Sequence, residues 1–121
     1  MDYDLQISQD GSYIIVRFLS DITTEIGEGA NKDASDFGAK HGISRYLHDL
    51  RQVRCIEKPT NQYLSAYKTV HGLGIDRASK IAMLTLPDDH SHDFIEVLWQ
   101  NNNFNIKIFR DEESAIRWLL A

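Results

Sequence analysis

The stretch KIAMLTL, residues 80–86, is nearly unbroken in apolar character and too short for a regular helix. A run of this kind suits a strand buried on both faces, which is the habit of central strands in parallel sheets covered by helices. The flanking segments supply that cover. Residues from about Asn61 to His71 predict a helix with Tyr63, Leu64, Tyr67, Val70 and His71 near one face. Residues from about Asp89 to Asn101 predict another, with Phe94, Ile95, Val97, Leu98 and Trp99 pointing inward and Asp89, His92, Asp93, Glu96 and Gln100 along a solvated stripe.

The rest of the chain repeats the alternation. Tyr3 to Ser8 alternates with period two, Asp10-Gly11 is a tight-turn pair, and YIIVRFL (13–19) is β-branched and aromatic, so the start reads as a hairpin. Ser20, Asp21, Thr23 and Thr24 offer N-caps for a helix to about Lys40, carrying Ile26, Ala30, Ala34 and Phe37, with Gly42 as its stop. Gly27, Gly29 and Gly38 count against that helix, at about 1 kcal/mol each relative to Ala. ISRYLHDLR (43–51) and NIKIF (105–109) read as strands, and Asp111 caps a last helix with Ala115, Ile116, Leu119 and Leu120. The predicted fold is α/β: a five-stranded mixed sheet with an N-terminal antiparallel hairpin, about four helices, and right-handed crossovers. A chain of 121 residues suits one such domain.

Charge and cysteine content narrow the function. Thirteen basic residues against 18 acidic ones give a formal net charge of -5, which disfavours nucleic-acid binding and charge-driven docking on anionic membranes. Cys55 is the only cysteine, so neither an internal disulfide nor a thiolate metal cage is expected. MDYDLQISQD has no basic region followed by an apolar run, and no stretch approaches the roughly 20 apolar residues of a membrane span. A cytoplasmic protein without a cofactor is expected.

The densest ionisable cluster is LPDDHSHDF, residues 86–94. Asp88, Asp89 or Ser91 suits the start of the helix that follows, where carboxylates favour the positive end of the helix dipole. A metal reading competes: His90, His92 and Glu96 could serve as ligands, His92 and Glu96 being four residues apart, but zinc needs three or four converging groups. No nucleophile elbow, phosphate loop or dinucleotide fingerprint is present. Ligands of open α/β sheets gather at the carboxyl ends of parallel strands, and there Arg51, Arg54, Thr60, Asp88, Asp89, His90 and Arg110 form an expected polar recognition edge.

The stretches GISRYLHDLRQV (42–53) and SHDFIEVLWQNNNFNIKIFRDEESAIRWLL (91–120), with the opening hairpin, carry a resemblance to a small bacterial family with the STAS-like fold. That is the fold of anti-sigma-factor antagonists, also compared with CRAL-TRIO lipid-carrier domains. The resemblance implies the same α/β architecture and a role in binding. The HDL of 48–50 is similar to the strand-end Asp-Leu of STAS domains. The phosphorylatable serine that follows in true antagonists has no counterpart in RQVRCIEKPTNQ (51–62), where only Thr60 stands at a helix start, as a cap.

Three expectations follow. The first is a non-enzymatic module binding a protein partner, including a second copy of itself, without the phosphoserine switch. The second is a carrier or sensor of a small apolar or lipid-like ligand held near Tyr63, Tyr67 and Trp99. The third is a metal-assisted enzyme built on residues 88–96.

Overall fold

The computed structural model describes residues 1–121. Five strands, β1 (Tyr3–Ile7), β2 (Ile14–Phe18), β3 (Arg45–Asp49), β4 (Lys80–Leu84) and β5 (Asn105–Phe109), form one sheet in the order of the sequence. β1 and β2 are antiparallel, and the other three pairings are parallel. The hairpin turn is held by Asp10, whose carboxylate accepts from the Ser12 amide at 3.1 Å and from the Ser8 hydroxyl at 2.8 Å. Gly11 sits there at φ 75, where a side chain would be strained.

This strand order decides where a ligand can go. Each crossover advances to the next strand, and crossovers share one hand. The helices α1 (Thr24–His41), α2 (Pro59–Leu64) and α3 (Asp93–Asn101) therefore cover the same face. Only α4 (Glu112–Leu120) crosses to the other face, over Leu47, Ala82 and Leu84. β4 is covered on both faces, as its apolar run requires. The strand order never reverses, so no crevice opens at a topological switch point. Space for a ligand lies between the sheet and its three-helix layer.

α1 begins with Thr23, whose hydroxyl accepts from the Ile26 amide, and ends at Gly42 in the left-handed region. Its inward residues are Ala30, Ala34 and Gly38. Gly38 lies so close to the Tyr46 hydroxyl and the Ile43 carbonyl that a Cβ would collide with both. The glycine that weakens the helix by propensity is thus demanded by its packing.

Two helices depart from expectation. The segment after Lys58 starts at Pro59 rather than Asn61, with Lys58 as a cap that makes no side-chain hydrogen bond; Thr60 lies exposed inside the first turn and is not the cap. α2 continues into a wide turn, Ser65–Thr69, in which the Val70 amide donates to the Ser65 carbonyl, and then into a 3-10 turn, Val70–Gly72. The residues that turn inward are Gln62, Ser65, Ala66 and Val70. A regular helix would follow 62, 65 and 66 with 69. The extra residue in the wide turn brings Val70 inward instead of Thr69. Tyr63, Leu64 and Tyr67, expected inside, are exposed.

α3 begins at Asp93, four residues later than expected, with His92 at its cap position and no side-chain cap. Asp89, His92 and part of the acidic stripe were expected in solvent, yet Asp89 is 4% and His92 2% exposed. Phe94 and Val97, expected inside, are exposed, while Ile95, Leu98 and Trp99 do point inward. In both helices hydrogen-bond partners distant in sequence draw polar side chains inward and rotate the helix against its apolar pattern.

Candidate functional site: a cavity under the three-helix layer

A cavity of about 80 Å³ lies between the sheet and the helices α1, α2 and α3. Its floor is Phe18, His48, Met83 and Ile106 from four adjacent strands, and Ile95 and Trp99 of α3 close one side. A water needs on the order of 10–15 Å³ on this measure, so the space admits several waters or a group of a few heavy atoms. Of the residues expected to form an apolar pocket, Trp99 lines it and Tyr63 and Tyr67 do not. The two tyrosines stack on each other outside, with ring centroids 4.4 Å apart.

His48 is the distinctive group on the floor. Alternation along β3 gives it the same face as Tyr46 and Leu50, so an imidazole takes a position that would ordinarily be aliphatic. It is 5% exposed and lies 5.6 Å, centroid to centroid, from the Phe18 ring. No protein group hydrogen-bonds its nitrogens, and burial alone pushes its pKa down to about 4. His48 is therefore neutral at physiological pH and offers one donor and one acceptor.

The polar residues of the helical wall are mostly engaged. Glu57 accepts from the Thr24 amide at 2.8 Å, from Lys58 N at 3.0 Å and from Asn61 Nδ2 at 3.0 Å. The Asn61 and amide hydrogen bonds bring its pKa down to about 2. One carboxylate thus ties the starts of α1 and α2 together. Ser65 donates to Glu28 across the same gap. Gln62 donates through Nε2 to the Glu57 carbonyl at 2.9 Å, while its Oε1 is buried without a partner. His92 lies with Nε2 3.3 Å from the Val53 carbonyl and 3.3 Å from Asp89 Oδ2. A carbonyl can only accept, so Nε2 carries the proton. Burial holds the His92 pKa below its usual value, against the pull of Asp89 and the Val53 carbonyl. Cys55 also lines the cavity, and burial raises its pKa, leaving it a thiol.

The predicted strand-end edge is assembled in part. Arg54 meets Asp89 at 3.3 Å. Burial works to raise the Asp89 pKa, but the Ser91 amide and hydroxyl, His92 and Arg54 outweigh it and bring it down. Arg110 donates to Thr85 Oγ1 at 2.7 Å, to the Asp89 carbonyl and to Asp93 at 3.1 Å, and its Nη2 stands 3.3 Å from His90 Nδ1. Arg51 turns away to Asp49 and Glu112. Asp88 is exposed. Arg110, with Thr85, Asp89 and Asp93, clamps the loop after β4 to the end of β5, while the Arg54 and His90 side chains stay largely exposed.

The candidate metal ligands do not converge. His90 pairs with Asp93 at 2.9 Å, His92 is directed at Val53 and Asp89, and Glu96 accepts from the Ile108 amide at 2.7 Å. No group of three or more His, Cys, Asp or Glu side chains is arranged to hold an ion. Sequence reasoning missed His48, Gln62, Glu28 and Glu57. For His48 a signal existed, a histidine in phase with Tyr46 and Leu50 on a strand; the other three had none.

No protein-family model matches the chain, and no curated protein matches it. Among solved structures it is similar to an uncharacterized protein of the DUF3478 family, with a SpoIIAA-like fold, from Shewanella loihica PV-4. The identity is 17%, the TM-score is 0.55, and the match covers 97% of this chain and 91% of the other. With its mixed five-stranded sheet and antiparallel first pair, the chain has the SpoIIAA-like, or STAS-like, fold.

Proposed function

We propose that the protein is a non-catalytic binding module that carries or senses a small, largely apolar ligand in the cavity beneath α2. The observation that carries this reading is His48, a neutral imidazole without a hydrogen-bond partner on the floor of an otherwise mainly apolar cavity. The His48 nitrogens face the cavity, and a ligand group that hydrogen-bonds to one of them in place of water there contributes about 0.5–1.5 kcal/mol. The engaged state of the other ionisable groups argues against acid–base chemistry here. A bacterial cytoplasm is the setting we propose, in keeping with the bacterial structural neighbour and the single cysteine. Native mass spectrometry of gently purified protein, followed by solvent extraction, tests the reading. A released small molecule, and saturable changes in Trp99 fluorescence on returning it, are expected. A bare mass, with Trp99 insensitive to every apolar probe, defeats it.

A second reading rests on a different observation. The outer surfaces of α2 with its following wide turn and of α3, which pack side by side, expose Tyr63, Leu64, Tyr67, Phe94 and Val97. Apolar groups clustered in this way suit a protein partner or a second copy of the chain. Sedimentation velocity over a wide concentration range distinguishes the two. Self-association lost in Tyr63→Ser and Leu64→Ser supports a homodimer; a monomer at all concentrations leaves only a different protein as partner.

A further inference from the structure

Resting on the cavity reading, we infer that the ligand is an uncharged amphiphile whose head group donates a hydrogen bond, an alcohol or amide rather than a carboxylate or phosphate. Three observations carry this. First, the lining contains no lysine or arginine but does contain Glu28 and Glu57. Both lining histidines are neutral, so an anion brought inside would meet two carboxylates and no cation.

Second, the feature that would otherwise welcome an anion is already taken. The start of α1 reaches the cavity through Thr23, Thr24 and Gly27, and a helix start attracts negative charge through its free amides and dipole. Here the Thr24 amide donates to the Glu57 carboxylate at 2.8 Å and the Ile26 amide donates to Thr23 Oγ1 at 3.3 Å. The protein's own carboxylate occupies the anion position. Glu57 already accepts three hydrogen bonds and Glu28 one, from Ser65. An ammonium entering here would give up its hydration for the remaining capacity of Glu28 alone, and butylammonium binding as tightly as butan-1-ol would overturn the uncharged assignment.

Third, one orphaned group can only accept. Gln62 Oε1 is buried without a donor, its Nε2 being spent on the Glu57 carbonyl; the other unpartnered groups, the Thr24 hydroxyl and the two His48 nitrogens, both donate and accept. A hydroxyl or amide N–H supplies what these lack. The remaining walls, including Phe18, Met83, Ile95, Trp99 and Ile106, suit the apolar part of such a molecule.

The cavity of about 80 Å³ is about half the volume of one that holds the six carbons of benzene, so it accepts roughly three heavy atoms, and because it is open on one side a short chain can extend beyond it. Butan-1-ol, its isomer methyl propyl ether, which has no donor, and butanoate therefore form a matched probe set. Each is titrated into the intact ¹⁵N-labelled chain at pH 7.5 and followed by amide chemical shifts. Butan-1-ol is expected to shift lining residues saturably and to bind about tenfold more tightly than the ether, while butanoate leaves them unmoved. Gln62→Leu should reduce the alcohol to the affinity of the ether without weakening the ether, and Glu28→Gln should let butanoate in. Butanoate or ether binding as tightly as the alcohol overturns the inference while leaving the cavity reading in place. Silence from all three probes overturns both.

Discussion

Replacing His48 by leucine isolates the energetic cost of keeping an imidazole neutral inside the molecule. Burial brings the folded pKa down to about 4 from the ordinary 6.5 of a histidine. Between those values the unfolded chain binds a proton that the folded chain refuses, so stability rises with pH there. The loss begins as pH falls through 6.5 and is complete below 4. At pH 7.5 the contribution is under roughly 0.1 kcal/mol, and at pH 5.0 it reaches about 2 kcal/mol of destabilisation. His92 adds a loss of the same sign in both proteins, and so do the carboxylates, so they cancel in the comparison. Urea unfolding of wild type and His48→Leu, followed by tryptophan fluorescence at pH 7.5 and 5.0, measures the difference. For an m-value near 2 kcal/mol/M, wild type should lose about 1 M more in midpoint than the variant over that interval. Leucine also removes an unpartnered polar group, so its absolute stability at pH 7.5 should not fall far. Equal pH dependence in the two proteins would show that His48 titrates as it does in water, and the neutral imidazole on which the site rests would be refuted.

Gly38→Ala should destabilise by about 1–3 kcal/mol or more, because the added Cβ collides with the Tyr46 hydroxyl and the Ile43 carbonyl; a melt within 1 °C of wild type would contradict the packing. Gly27→Ala should do the reverse, gaining about 1 kcal/mol of helix propensity, since its Cβ meets only Ile22 Cγ2 at an ordinary 3.6 Å. Glu57→Gln should lower stability at neutral pH and flatten acid denaturation in one interval. The Glu57 pKa is lowered from 4.5 to about 2, so its stabilisation is whole above pH 4.5 and disappears as pH falls toward 2. Circular dichroism against pH for both proteins checks this. Arg110→Met should free the loop after β4, seen as faster amide exchange at Asp89 and Ser91, because that arginine spans Thr85, Asp89 and Asp93.

All five strands were legible, because period-two alternation or an unbroken apolar run does not depend on distant partners. The stop at Gly42 and the cap at Asp111 were legible for the same local reason, while Thr23 was one of four caps the sequence left open. What failed was the orientation of α2 and the start of α3. Gln62 and Ser65 turn inward toward Glu57 and Glu28, and His92 toward Val53, partners up to 39 residues away. Periodicity assigns polar residues to solvent unless such partners are known. The wide turn at 65–69 adds a residue that a 3.6-residue period cannot accommodate. Arg54, Asp89, His90 and Arg110 of the expected strand-end edge lie near one another, but the contacts they make among themselves are a property of three-dimensional geometry. The cavity was invisible for a simpler reason: empty space has no sequence.

The sequential strand order also bears on how the chain is assembled during synthesis. Each new strand docks on the one just made, so after the hairpin the sheet can grow outward one parallel crossover of 20 to 30 residues at a time. The exception is α4, which emerges only after β5 and is the one helix over Leu47, Ala82 and Leu84. A ribosome-bound chain that has emerged through β5 but not yet through α4 would hold a complete sheet with one greasy side bare, the form most in need of a chaperone.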